Sequence, residues 1–341
     1  TEEYMYNLLI AYMNEDTDYL KTKVLVFAFL TLIIPFQVYA YSDYIIAGGE
    51  NVGIKINSNY VMVVGSYDIG SNQNKTLVPG DKILRINGYK VSSINEMLNV
   101  ISKTIKNSSV SVDYLRGTEE NTTTLKLVLD ENGVYKTGLY VKDSISGVGT
   151  LTYIDPNTKL YGALGHEIIE KNTSQKLDIK DGQIYQSNVI SIVPSRSNSP
   201  GEKNANYNQD NVYGTINENT YAGIFGDYTA TIPDKKLYKV ATINDIKLDK
   251  AQILTVVEGD KIESFDINIL KLNNGYDSKN ILFQITDERL LEKTGGIVQG
   301  MSGSPIVQGD YIIGAVTHVV VNEPTKGYGI LITNMLEEAE K

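Results

Sequence analysis

The sequence predicts a mainly β protein: one apolar N-terminal segment, a small unit of strands with one helix, then a larger all-β region. Three observations lead there. An uncharged run, Val24–Ala40, directly follows Lys21 and Lys23. Between about Gly48 and Asp130, alternating apolar positions bracket one stretch of helical periodicity. From Gly133 onward, short apolar runs are broken by Gly, Asn, Asp and Pro, the texture of many short strands. A chain of 341 residues suits two such domains. The formal charge of −10 argues against nucleic acid as a main partner, because no basic field gathers phosphates. Cysteine is absent, which excludes disulfides and a thiolate nucleophile; neither a metal nor another cofactor is expected.

Val24–Ala40 is just long enough to cross a bilayer core of about 30 Å. The lysines before it favour a cytoplasmic tail over 1–23 and a transmembrane or signal-anchor segment over 24–41. Val38-Tyr39-Ala40 also has the small-residue spacing of a signal-peptidase site, so anchor and cleaved signal both stay open. Everything downstream is expected to be exported. In the next unit, 48–130, Val52–Ile56 and Tyr60–Val64 read as strands divided by an Asn57-Ser58-Asn59 turn. Pro79–Gly88 supplies a turn, a short strand and a hairpin signal. Ser93 and Glu96 form a capping box, and Ile94, Met97, Leu98, Ile101 and Ile105 make one apolar helix face. Alternation returns at Val110, Val112 and Tyr114, and again at Leu125, Leu127 and Leu129. That order, with PGDKILRING at its centre, resembles a PDZ domain. The resemblance implies a groove in which a peptide adds as an extra strand. It also implies that Val52, Gly53 and Ile54 form the loop whose N–H groups cap the peptide terminus.

The region 133–341 contains strand-like runs at Gly147–Ile154, Val189–Val193, Ile253–Val257 and Tyr311–Thr317. Ser195–Asn211 is polar and reads as an exposed loop; Asn334–Lys341 reads as a terminal helix. Within this region Ser302 stands in Gly300-Met301-Ser302-Gly303-Ser304-Pro305. A serine between glycines leaves room for a substrate carbonyl and frees the Gly300 and Ser302 N–H groups for an oxyanion. This is how chymotrypsin-like hydrolases present a nucleophile. Such a serine needs a base, and the chain has only two histidines, His166 and His318. His166 ends an apolar strand beside Gly165 and is the better base. Thr317 and His318 are expected to line the substrate cleft. Spacing leaves Asp227, Asp245, Asp266 and Asp287 open as the orienting carboxylate.

The stretch Ile285–Ile306, with GGIVQGMSGSPI at its end, continues through Gly314-Ala315-Val316-Thr317-His318. Together with Ala163-Leu164-Gly165-His166 and the upstream PDZ-like unit, it resembles the SpoIVB (stage IV sporulation protein B) serine peptidases. The resemblance implies a chymotrypsin-like double β-barrel peptidase domain over 133–341, with His166 and Ser302 catalytic. Its functional aspartate maps onto Asp287, fifteen residues before the serine, as triad acid or as a brace for the serine loop. It further implies an endopeptidase in the space between mother-cell and forespore membranes. Such an enzyme cleaves its own N-terminal segment, then a membrane-bound sporulation protein, and so signals late sigma-factor activation. The rival readings are a catalytically silent, membrane-tethered PDZ scaffold and an HtrA-like quality-control protease. The order of the domains counts against the second.

Overall fold

The structure, a computed structural model, describes residues 41–70 and 76–341; the segment expected to meet the membrane lies, Tyr41 apart, outside the described residues. Among the described residues no helix is long and apolar enough to cross a membrane.

The C-terminal half is a closed barrel. Strands Lys250–Val256, Ile262–Leu272, Ile281–Ile285, Lys326–Leu331, Tyr311–Val319 and Pro305–Gln308 pair antiparallel in that order, and the last returns to the first. Their alternation turns Phe265, Ile267, Phe283, Ile285, Ile306 and Ile313 into one buried core. Closure leaves no free strand edge to pair with another chain.

The N-terminal half forms a second ring. Strand Asn51–Ser66 pairs with Leu139–Ile154 on one side and Ile179–Val193 on the other. Leu160–Ala163 and Gly223–Asp227 extend the first side, and Gly201–Thr215 extends the second. A bridge between Gly214 and Tyr228 joins the two ends. Ile54, Ile56, Leu151, Tyr161, Ile184 and Ile224 fill this ring.

The small unit has its own core, with Val61, Ile83, Ile86, Met97, Ile101, Val112 and Leu125 at its centre. Its helix, Ile94–Thr104, is capped by Ser93, whose hydroxyl accepts from the Glu96 N–H. The Asp143 carboxylate accepts from the Ile94 N–H at 2.8 Å and fastens the helix to strand Leu139–Ile154. Asp81 of the PGD turn is buried and accepts from the Val78 N–H and from two Arg116 nitrogens.

Three expectations are corrected. Val52–Ile56 and Tyr60–Val64 belong to one continuous strand, Asn51–Ser66, and not to two strands divided by a turn. Its first half serves the N-terminal ring, while Val61 and Met62 pair with Ile83 and Lys82 of the small unit. Long-range partners override the local turn signal there: Asn57 donates to Asp181, and Ser58 is fully buried. Within Ser195–Asn211, residues from Gly201 onward form a strand paired with Ile179–Val193. Its polar side chains hide the strand from any hydrophobic periodicity. Finally, Val52, Gly53 and Ile54 are paired along both edges, with Gly147–Gly149 and Ile184–Gln186. Their backbone is committed to the barrel sheet, so these residues do not form a free carboxylate-capping loop.

Candidate active site

The serine turn lies between strands Val298–Gln299 and Pro305–Gln308, and both halves of the domain hold it. From the N-terminal ring, the Thr150 hydroxyl donates to the Gly300 carbonyl at 2.8 Å and the Thr150 N–H to the Ser302 carbonyl at 3.0 Å. The Thr152 hydroxyl donates to the Gly303 carbonyl at 2.8 Å. From the C-terminal barrel, the Val316 carbonyl accepts from the Gly303 N–H at 2.7 Å. Gly303 has φ +91°, and a Cβ there would stand 2.1 Å from the Thr150 oxygen. Glycine is thus required both by conformation and by the close approach of the neighbouring strand. Among the described residues, neither the Gly300 nor the Ser302 N–H has a protein acceptor, as an oxyanion site demands.

His166 follows strand Leu160–Ala163 through a strained link. Leu164 has φ +70°, and the Gly165 N–H donates back to the Ala163 carbonyl at 2.9 Å. Together these make a positive-φ γ-turn, a rare conformation that concentrates at functional sites. The Nδ1 of His166 lies 2.8 Å from the Glu167 carbonyl. A carbonyl only accepts, so Nδ1 carries the proton and the neutral ring keeps its Nε2 lone pair. That is the tautomer a general base needs. Burial draws the pKa of His166 below the usual histidine range, with Glu167 opposing.

His166 and Ser302 line one cleft of about 640 Å³, with Gly300, Gln299, Leu164 and Glu170 among its walls. The Ser302 hydroxyl donates to the Thr317 carbonyl at 3.1 Å, so the serine proton rests on that oxygen and not on the imidazole. Thr317 itself is buried, its hydroxyl turned to the carbonyls of Ser278 and Tyr328; it meets the site through its backbone. The His318 ring stands 5.3 Å from the His166 ring, centroid to centroid. Its Nδ1 is buried without a partner among the described residues. Burial, His166 and Lys279 push its pKa down to about 4. His318 therefore stays uncharged at neutral pH and packs its ring against the base; neither it nor Thr317 is among the residues that line the cleft, contrary to expectation.

Asp287 does not meet His166. Its carboxylate caps helix Glu288–Thr294 through the Arg289 N–H and pairs with the Arg289 guanidinium at 2.7 Å. It also accepts from the Asp266 N–H at 3.3 Å. Arg289 beside it holds the carboxyl below the usual carboxylate range. The far imidazole nitrogen is oriented by the Glu167 carbonyl, a backbone partner that no motif of side chains announces.

Sequence reasoning also passed over Thr150 and Thr152, whose sole signal was alternation along a strand. Lys203 was missed as well, a buried lysine set in an asparagine-rich stretch.

A family model described as SpoIVB peptidase S55 matches residues 133–336, and a PDZ-domain model matches 52–127. A solved PDZ domain of the SdrC-like protein Lmo2051 from Listeria monocytogenes is 24% identical, covers 26% of this chain and 93% of that one, with TM-score 0.23. The Rv3671c protease of M. tuberculosis, active form, is 12% identical, covers 74% of this chain and 88% of that one, with TM-score 0.33. Its inactive form is also 12% identical, covering 57% and 85%, with TM-score 0.32. A search of curated proteins gave no match. With the family model spanning more than half of its length, the chain belongs to the SpoIVB peptidase S55 family and is a serine peptidase carrying a PDZ domain.

Proposed function

We propose that this peptidase is a membrane-tethered endopeptidase of sporulation that cleaves its own N-terminal segment and then a membrane-bound partner between mother cell and forespore. The observation that carries the reading is the shared cleft, with the Ser302 hydroxyl and a base-form His166 on its walls. In the reaction the Ser302 O–H turns from the Thr317 carbonyl to His166 Nε2 and its oxygen attacks the scissile carbonyl. The Gly300 and Ser302 N–H groups receive the oxyanion, and His166 returns the proton to the leaving amine. An extended substrate has a place to lie. Among the described residues, Ile145–Val148 pair only with Asn51–Ser66, and these same residues line the cleft. The opposite edge offers backbone groups to an added strand. Gel analysis of the full chain tests the reading: N-terminal fragments are expected from the wild type and none from Ser302→Ala. Equal fragments from both would assign the cut to another protease.

The orienting role goes to the Glu167 carbonyl, and Asp287 braces the loop before the serine. Asp287→Asn is then expected to cost about 1–2 kcal/mol, since asparagine keeps the cap oxygen but loses the ion pair to Arg289 and the oxygen that accepts from the Asp266 N–H. Its rate of active-site labelling should stay within about ten-fold of wild type; a triad acid would lose roughly 10⁴ in kcat. Thermal melts beside labelling rates separate the two.

The same geometry sets the acid limb of the pH profile. Because burial lowers the pKa of His166, its base form persists as pH falls through about 6.5, the ordinary histidine value. The labelling rate should decline only below that pH. A limb above it would mean that a carboxylate stabilises the charged ring, returning an acid to the site.

A further inference from the structure

Lys203 sits in strand Gly201–Thr215 with only 5% of its surface exposed, between the exposed residues Glu202 and Asn204. Its stem passes behind the serine turn. Its Cβ and Cδ lie 3.2 Å, and its Cγ 3.4 Å, from where a Cβ on Gly300 would stand. Its ammonium donates to the Thr255 hydroxyl at 2.9 Å. The Ser304 hydroxyl lies 3.0 Å from that same oxygen and 3.4 Å from the Thr150 hydroxyl. Thr150 in turn donates to the Gly300 carbonyl. A continuous buried chain of polar groups thus runs from the lysine to the turn that carries Ser302. No ion pair to Lys203 occurs among the described residues, and burial alone draws its pKa down to about 7.

Stability disfavours this arrangement, because an uncompensated buried cation costs several kcal/mol that a methionine of similar length would not. A positive charge on the protein side of an oxyanion-binding turn has a chemical use, since charge develops there in the transition state. We propose that Lys203 is a positioning residue for the serine turn, holding Gly300 through its stem and the Thr255–Ser304–Thr150 chain, and favouring the oxyanion by its charge. The inference rests on the reading of Ser302 as nucleophile.

The test compares fluorophosphonate labelling rates and melting temperatures of the full chain as wild type, Lys203→Met and Lys203→Arg. Lys203→Met is expected to label at least about ten-fold more slowly, part of the 10²–10³ that losing an oxyanion donor outright costs. It should melt at or above the wild-type temperature, and Lys203→Arg should recover most of the rate. A slow Lys203→Met that also melts lower, with no recovery by arginine, would make the lysine a packing element and overturn the proposal. So would wild-type labelling of Lys203→Met, which leaves Ser302 as nucleophile intact. An unlabelled wild type would remove the nucleophile and this inference together.

Discussion

Ser302→Ala is expected to abolish fluorophosphonate labelling and peptide cleavage while leaving the melting temperature almost unchanged. The chemical loss is large because nothing replaces the attacking oxygen. In a serine-protease triad, removal of the nucleophile costs roughly 10⁶ in kcat. The structural loss is small because the substitution deletes a single hydrogen bond, from the hydroxyl to the Thr317 carbonyl. Such a bond contributes about 1 kcal/mol net. The bonds that hold the turn use the Ser302 carbonyl and its neighbours, and alanine keeps them all. Labelling of Ser302→Ala at the wild-type rate would end the assignment. A steep drop in melting temperature would instead mean that the hydroxyl serves the fold.

Gly303→Ala, one residue on, is expected to do the reverse: to damage the fold first and the chemistry as a consequence. The new Cβ would stand 2.1 Å from the Thr150 oxygen, 2.4 Å from the Leu164 nitrogen and 2.9 Å from the Leu164 Cα. All three are backbone atoms of the N-terminal ring, so no side-chain rotation relieves the clash. The φ of +91° adds strain of its own, on the order of 1–3 kcal/mol. Forcing the two halves apart also breaks the bonds from Thr150 and Thr152. The sum should exceed about 3 kcal/mol, and melting and labelling should fall together. Gly300→Ala is the control. It has a similar φ of +93°, yet its nearest neighbours are side-chain methylenes of Lys203 at 3.2 Å and not backbone atoms at 2.1 Å, so the clash is milder. A Gly303→Ala variant that melts like the wild type would show that the turn is not clasped as described.

Several parts of the candidate site are legible in the sequence alone. The glycine-flanked serine, the histidine after a glycine and the PGD turn are local statements, since each residue type answers to the backbone or chemistry of its own position. The helix Ile94–Thr104 was legible for the same reason, because its cap and its apolar face both lie within one short window. The terminal helix, Ile332–Ala339, began two residues earlier than its pattern suggested. The polar strand Gly201–Thr215 was not legible, because pairing, and not apolar alternation, holds its residues in place.

The sequence by itself singled out Ser302 as the candidate nucleophile and His166 as the candidate base, and determined a mainly β frame with a PDZ unit. Only the tertiary structure decided what each of them touches. It placed Val52–Ile54 inside the barrel sheet, gave Asp287 to Arg289, set the Glu167 carbonyl on the imidazole and brought Lys203 behind Gly300. The physical reason is the distance along the chain. Thr150 and Gly300 bond across 150 residues, and Lys203 and Thr255 across 52. Such contacts follow from the closing of two strand rings on each other, and no local pattern of residues records them.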